Sequence, residues 1–388
     1  MRELSDCRVL IVDDVPANVE ILVEALKNDY KLSVAIDGER ALRAVEKSPP
    51  DLILLDIMMP GIDGYEVCRR LRAAEATREL PIMFLSALED VANKARGFEL
   101  GANDYLSKPF EILEVKARVR SLLKAKAYAD AVRDAMEREM SIAREIQRGI
   151  LPSDIGARTA GTELDISAVM APARHVGGDL YEVLRVDDDT IVVAIGDVMG
   201  KGVPASLFMA VTVTLLRTLA RQHRQPEEIL RRLNEEIVVQ NPRRLFVTMA
   251  CLVIDLPSGR VTGASAGHNP LVLVPAAGAP KLVFRSSGMV IGMMPARTYL
   301  SESLELAAGD TLLLFTDGVG EAENPAEEQL GDERLLACLR SCAGRTAQEI
   351  VDALLAAVRE FAAGALQNDD ITIVAVRRAA ERRPDAPL

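Results

Sequence analysis

Five short apolar runs, "CRVLIVDD", "KLSVAI", "DLILLD", "PIMFLSA" and "NDYLSKPF", recur through residues 7–110, with amphipathic stretches such as 16–28 and 63–72 between them. This alternation leaves few folds open. Strands separated by helix-length segments do not close as tight hairpins; they align in parallel, with the helices crossing over both faces. Residues 1–123 are therefore expected to form an α/β doubly wound five-stranded parallel sheet. Ligands reach such sheets beyond the carboxyl ends of the strands. Asp13, Asp14, Asp56, Ser86 and Lys108 stand there.

Carboxylates gathered at neighbouring strand ends repel one another unless a cation offsets them. With Mg2+ held by two of the aspartates, Asp56 would be free to attack a phosphoryl group, and Lys108 would neutralise charge on the transferring oxygens. An aspartate at a strand end also caps a following helix, so any one of them alone is ambiguous. Taken together, "VLIVDD", "LILLDIMMPGIDGYEVCRRLR", "PIMFLSA" and "GANDYLSKPF" resemble the receiver domain of two-component response regulators over residues 6–123. That resemblance implies that Asp56 is the phosphoacceptor and that a cognate sensor histidine kinase loads it. It also implies Mg2+ ligation by Asp13, Asp14, Asp56 and the Met58 carbonyl, a switch formed by Ser86, Tyr105 and Lys108, and a cis Lys108–Pro109 bond. Phosphorylation would add charge that Ser86 and Lys108 engage, biasing a bistable surface.

Residues 111–151 contain no glycine or proline before Gly149 and predict one long linker helix, overlapping the last receiver helix. Val132, Met136, Ala143, Ile146 and Ile150 follow three-and-four spacing, interrupted by Glu139. Val115, Val119 and Leu122 keep a similar pattern, flawed by Lys126, and the register shifts once between Ala129 and Val132. A solvent-bridging rod satisfies this pattern. A homodimeric coiled coil is preferred because a two-helix seam would hide the apolar stripe.

Residues 152–378 change style. "GDLYEVLRV" and "TIVVAIGD" flank an Asp187-Asp188-Asp189 turn, "LFVTMACLVID" and "RVTGASAG" flank another, and helical patterns cover 204–222, 226–240, 332–342 and 346–363. Hairpins with separate helices predict an α+β antiparallel β-sandwich flanked by helices. Residues 379–388, rich in charge and proline, are expected to be a flexible tail. A hairpin turning about Asp188 sets Asp179 opposite Asp197, with Cβ atoms roughly 4.5–5.5 Å apart. Two carboxylates at that spacing suit a pair of divalent ions about 3.5–4 Å apart. Asp317 ends "TLLLFTDG" and Asp369 opens "DDITIVAV". An aspartate before glycine at a turn is ordinary in isolation, but four such acids in one domain shift the reading toward a metal site. All-oxygen donors favour Mn2+ or Mg2+ over zinc.

"VGGDLYE", "IGDVMGKGVPASLFMA", "SAGHNPLVL", "LLFTDGVGEAEN" and "NDDITIVAV" resemble PPM-type serine/threonine phosphatases of the SpoIIE/RsbU-like branch, and "AREIQRGILP" is similar to the segment preceding that domain. The resemblance implies that Asp179, Asp197, Asp317 and Asp369 are catalytic. With the Leu180 carbonyl, and Asp370 as a further candidate, they would hold two Mn2+ or Mg2+ ions. Hydrolysis would be direct, without a phosphoenzyme, in keeping with the lack of a Cys-x5-Arg loop. The substrate implied is a serine-phosphorylated anti-sigma-factor antagonist of the STAS type in a partner-switching pathway, with Asp56 phosphorylation controlling the hydrolase. Glu182 stands where aspartate is common and Met199 lies within the Gly-Asp motif; both departures put rate or metal affinity in question. His268 reads as a structural strand-end histidine in preference to a proton donor. Arg174, His175 and Lys201 stay open between solvation and phosphate contact.

Composition narrows the alternatives. Lys plus Arg total 46 against 58 Asp plus Glu, a net charge of -12, which disfavours nucleic acid as a partner. No helix-turn-helix with a basic face follows the receiver. A non-enzymatic adaptor built on the phosphatase fold is the competing class, opposed by the presence of all four aspartates. Cys7, Cys68, Cys251, Cys338 and Cys342 lack paired spacing and read as core thiols of a reducing compartment. No run of roughly 18 apolar residues stands out, so a cytoplasmic protein with no membrane association is expected.

Overall fold

The computed structural model describes residues 3–87, 99–286 and 288–379. Two compact units divide the chain, Met1–Arg138 and Glu139–Leu388. In the first, strands β1 (Arg8–Val12), β2 (Lys31–Ala35), β3 (Leu52–Asp56), β4 (Ile82–Ala87) and β5 (Asp104–Lys108) form one sheet in the order β2-β1-β3-β4-β5, with every pair parallel. Helices α1 (Pro16–Leu26), α2 (Gly38–Lys47) and α3 (Gly64–Ala73) belong to this unit. Asp37 and Asp63 cap the last two by accepting from Arg40 N at 2.7 Å and Glu66 N at 2.8 Å.

Alternation along the strands sorts the core into two layers. Leu10, Val12, Ile53, Leu55, Ile82 and Phe84 pack with α2 and α3 on one face. Val9, Ile11, Leu52, Leu54, Met83 and Leu85 pack on the other with Leu22 and Leu26 of α1, and with Val115, Val119 and Leu123. Because both faces are covered, β3 is buried at every position and reads in sequence as one apolar run.

Those last three residues open α4 (Ile112–Ile150), a single helix of 39 residues, which matches the long helix expected from the sequence. It runs from the first unit into the second. Its middle is largely solvent-exposed, and burial returns at Gln147.

The second unit, after the short α5 (Ile155–Thr159), contains two five-stranded antiparallel sheets. One joins β7 (Leu180–Arg185), β8 (Thr190–Val198), β9 (Val247–Asp255), β10 (Arg260–Ala266) and β13 (Ser301–Glu305). The other joins β6 (Leu164–Ala171), β11 (Leu271–Val274), β12 (Lys281–Val283), β14 (Thr311–Phe315) and β15 (Ile371–Arg378). Leu312, Leu314, Val374 and Val376 face the first sheet in a shared core, whereas Leu313, Phe315, Ile373 and Ala375 turn to α9 (Gly331–Arg340) and α10 (Ala347–Ala362). Helices α6 (Val203–Gln222) and α7 (Pro226–Val239) supply Met209, Val213, Leu216, Ile229 and Leu233 to the shared core.

Three expectations need adjustment. By length and composition α6 is apolar enough to cross a membrane, contrary to the reading that no such stretch exists; its apolar content goes into a core-facing stripe that includes Ala205, Met209, Val213 and Leu216. Four of the cysteines are buried as expected, but Cys338 is only partly so. Nearly all of the tail expected at residues 379–388 lies outside the described residues.

Phe84 is among the largest fully buried side chains, with ring centroids 5.3 Å from Tyr65 and 5.6 Å from Tyr105. Phe84→Ala should cost about 3–5 kcal/mol. Denaturant unfolding is expected to show that loss in the first unit's transition and leave the second unit's unchanged.

Candidate functional site

Two acidic centres form at strand ends, one in each unit. In the first, β1 ends against Asp13 and β3 ends in Asp56. With Asp14, each offers a carboxylate oxygen, all lying within 4.8 Å of one another. Asp13 and Asp56 are buried. Lys108, at the end of β5, places Nζ 2.8 Å from Asp13 Oδ2 and 2.9 Å from Asp56 Oδ2. Asp13 Oδ1 also accepts from Val15 N at 2.9 Å and from Asn18 Nδ2 at 3.1 Å. Burial pushes the Asp56 carboxyl above its ordinary pKa, and Lys108 offsets part of that shift. Burial opposes the Lys108 charge in turn, but its bonds to Asp13 and Asp56 outweigh it and raise its pKa.

Ser86 stands one residue beyond the Asp56–Leu85 pairing, buried, with no hydrogen-bond partner for its hydroxyl among the described residues. A buried hydroxyl without a partner beside a carboxylate and a lysine is what an incoming phosphoryl oxygen requires. Three clustered carboxylates also fit a hard cation such as Mg2+. Tyr105 is turned inward against Phe84, and burial pushes its hydroxyl up to about 12. The Met58 side chain is exposed and its backbone N–H reaches the Asp56 carboxylate; the Lys108–Pro109 bond is cis.

The second centre is built by the hairpin and by the adjoining ends of β14 and β15. Leu180 pairs with Gly196 as the last pair of the hairpin; just beyond it the Asp179 and Asp197 side chains share a hydrogen bond, which brings together the two acids that the turn arithmetic set opposite each other. Asp179 is buried, and its Oδ2 accepts from Thr316 Oγ1 at 2.8 Å and Thr372 Oγ1 at 2.5 Å. Asp317 opens the short α8 (Asp317–Gly320), and Asp369 lies two residues before β15. Close backbone approach is built in here, since a Cβ on Gly318 would stand 2.1 Å from the Asp370 carbonyl oxygen.

Burial, then the neighbouring Asp197 charge, drives the Asp179 pKa well upward. Burial, with repulsion from Asp317 and Asp369, pushes Asp197 up to about 7, although it also shares a hydrogen bond with Asp179. Burial and Asp369 raise Asp317. The four acids sense one another's charge, Asp179 through Asp197 and Asp197 through Asp317 and Asp369, so they line one shared acidic basin. Lys201 Nζ sits 3.0 Å from Asp369 Oδ2, a protein cation against one edge of that basin. An all-oxygen, mutually repelling donor set fits hard divalent ions.

Other residues fall away from the chemistry. Asp370 accepts backbone N–H groups on both oxygens, from Ala173 and Gly178, each at 2.7 Å, and so ties the segment before β7 to the start of β15. Buried Glu182 belongs to the opposite face of β7 from Asp179 and bridges Arg158 and Arg217. Met199 N donates to Phe246 O at 2.9 Å and extends the strand pairing. His268 is buried with both ring nitrogens engaged, Nδ1 with Thr248 Oγ1 at 3.0 Å and Nε2 with Phe315 O at 3.1 Å, and burial pulls its pKa down to about 4. Arg174 and His175 are exposed. Sequence reasoning missed Thr316 and Thr372, although each sits beside a motif acid in "FTDG" and "DDIT".

Residues 9–120 match the family model described as response regulator receiver domain, and residues 187–379 match stage II sporulation protein E (SpoIIE). The chain joins a response-regulator receiver domain to a SpoIIE-type PPM phosphatase domain. The SpoIIE match includes Asp197, Asp317 and Asp369 and begins after Asp179. Protein IcfG of Synechocystis sp. is 31% identical over 293 residues, which is 68% of this chain and 44% of the relative. Response regulator PleD of Caulobacter vibrioides is 42% identical over 138 residues, 35% of this chain and 30% of the relative. The chain thus spans less than half the length of either. The SiaA-PP2C domain of Pseudomonas aeruginosa shares the SpoIIE-type fold with a TM-score of 0.57 at 24% identity, covering 64% of this chain and 98% of that one. The phosphatase domain with a regulatory fragment of SpoIIE from Bacillus subtilis gives a TM-score of 0.51 at 23% identity, over 56% of this chain and 64% of that one. PPM phosphatases are metal-dependent, which agrees with the acidic basin of this domain.

Raised carboxyl pKa values have a signed consequence. The folded domain holds protons that the unfolded chain has released above its ordinary carboxyl range, so stability present at acid pH is lost as pH rises through the Asp197 value of about 7. Chelator-treated protein is expected to melt at a lower temperature at about pH 8 than at about pH 5, and Mn2+ should abolish the difference. A melting temperature that rises over that interval without metal would contradict this charge assignment.

Proposed function

We propose that this chain is a phosphorylation-controlled, metal-dependent protein serine phosphatase, acting on a serine-phosphorylated STAS-type anti-sigma-factor antagonist in a partner-switching pathway. The observation that carries the hydrolase reading is the basin of Asp179, Asp197, Asp317 and Asp369, whose charges the protein itself leaves largely uncompensated. Bound Mn2+ or Mg2+ would polarise the phosphoryl group and acidify the attacking water. Asp179, fixed by two threonine hydroxyls, and Asp197, fixed by the hairpin, would hold ions on one side of the basin, with the Leu180 carbonyl beside them. Asp317 and Asp369 would hold them on the other. His268 is neutral at physiological pH with both nitrogens occupied, so the proton for the departing serine oxygen does not come from its imidazolium.

In the receiver, Asp56 is the proposed acceptor of a phosphoryl group from a sensor histidine kinase, at a site where Mg2+ would offset the charge of Asp13, Asp14 and Asp56. Lys108 already contacts Asp56 and would follow the new charge, and the unpartnered Ser86 hydroxyl would donate to it. We place the protein in the cytoplasm, where its five unpaired thiols would persist. The linker helix is proposed as a homodimer seam: Val132 is 50% exposed and Met136 and Ile146 are each 62% exposed on a helix without another element over them among the described residues.

A Mn2+-dependent dephosphorylation assay on a phosphoserine STAS protein tests the enzyme. Activity should be present in the wild type and fall to background in Asp317→Asn; equal rates in the two would restore the adaptor reading. Control by the receiver is tested separately, with a phosphoryl mimic at Asp56 and with Met136→Lys. The mimic should change both the rate and the sedimentation coefficient, and Met136→Lys should shift the protein toward monomer. Identical rates and association states in every case would sink the coupling.

A further inference from the structure

We propose that Gln147, in the last turn of α4, is a positioning residue for the metal site: it holds the backbone of Gly177 and thereby fixes the approach of Asp179. The inference deepens the metal-dependent reading above and rests on it.

Gln147 is 4% exposed, whereas its neighbours Glu145, Ile146 and Arg148 are all exposed. A glutamine buried on a largely solvated helix must have its amide satisfied. Here the backbone of one residue satisfies both ends. Gln147 Nε2 donates to Gly177 O at 2.7 Å, and Gly177 N donates to Gln147 Oε1 at 3.1 Å. The side chain thus exchanges two hydrogen bonds with Gly177 much as a neighbouring strand residue would, at a point where the chain has not yet entered β7.

The opposite side of the same segment is held by Asp370. Its carboxylate accepts from Gly178 N and Ala173 N, and a Cβ on Gly177 would lie 2.3 Å from Asp370 Oδ2. Gly177 is therefore pinned between Gln147 and Asp370, two residues before Asp179. With Asp179 Oδ2 held by Thr316 and Thr372, no loose residue intervenes between the linker helix and the buried carboxylate.

A second tie joins the same helix end to β7. Arg217 Nη2 donates to Ile150 O at 2.5 Å, and its Nε donates to Glu182 Oε2 at 2.6 Å. The last turn of α4 is thus bonded to both ends of the stretch 177–182, with Asp179 and Leu180 between the anchor points. A helix C-terminus leaves its final carbonyls without intrahelical partners, and Arg217 takes one of them. Displacement of this turn would strain both anchors, which gives the linker a route to the metal ligands that needs no contact with the metals themselves.

The test is Mn2+ affinity of the full chain, read by titration calorimetry, with stability in chelator measured alongside. Gln147→Leu removes both hydrogen bonds at similar size, and Gln147→Glu keeps the acceptor for Gly177 N while turning a carboxylate oxygen toward Gly177 O. Both should weaken Mn2+ binding by about tenfold or more. The Asp56 site should still accept a phosphoryl group from a small-molecule donor. If Gln147→Leu does not unfold cooperatively, the gentler Gln147→Glu carries the decision. Wild-type affinity in the variants, with only a lower melting temperature in chelator, would assign Gln147 a merely structural role and overturn the proposal. A wild-type protein that binds no Mn2+ would instead overturn the metal-dependent reading and this inference with it.

Discussion

Repulsion between carboxylates held at the ends of buried strands is the constraint around which both units are organised. Ionised oxygens at these distances in a poorly solvated setting are tolerated only where something positive or donating faces them. The receiver answers with Lys108, whose ammonium reaches Asp13 and Asp56 together. The phosphatase domain answers only in part, with two threonine hydroxyls on Asp179 and Lys201 at the Asp369 edge. The remaining imbalance appears as the upward shifts of Asp179, Asp197 and Asp317. A divalent cation in the basin would relieve it.

Architecture determines how such groups can meet. A parallel sheet delivers Asp13, Asp56, Ser86 and Lys108 to one edge because its strands all point the same way. An antiparallel sandwich has no common edge of that kind. It gathers its acids from opposite strand ends, across one hairpin and from two neighbouring strands of the other sheet, and needs glycine where backbones close on one another, as at Gly318. The receiver acids therefore converge on one point, while the phosphatase acids come from both sheets and meet through their mutual charge. Partly buried between these chemistries, α4 has its ends committed to packing and its middle exposed.

Much of this was legible in the order of residues. The parallel sheet followed from apolar runs too far apart for hairpins, and the Asp179–Asp197 pairing from a turn centred on Asp188, because strand pairing is a local rule that fixes partners at a distance. Less legible were residues whose role depends on a neighbour far away in the chain. Asp370 looked like a possible ligand beside Asp369, and only the positions of Ala173 and Gly178 show that its oxygens also bind backbone N–H groups. Glu182 looked like a departure within a metal motif, yet strand alternation turns it to the opposite face, toward Arg158 and Arg217. The apolar length of α6 went unremarked in the sequence, and its packing shows that a core-facing stripe accounts for it.

By itself the sequence determined the two fold classes, the long helix between them and the set of acids available for chemistry, since these depend on hydrophobic period, turn residues and strand-end placement within short windows. Only the tertiary structure decided which acids are crowded against one another and which bond to backbone amides. It alone showed Gln147 to be buried, since a glutamine flanked by exposed residues on a largely solvated helix carries no mark of what will close over it. Hydrogen-bond satisfaction is a property of assembled neighbours, and those neighbours come from strands and helices far apart along the chain.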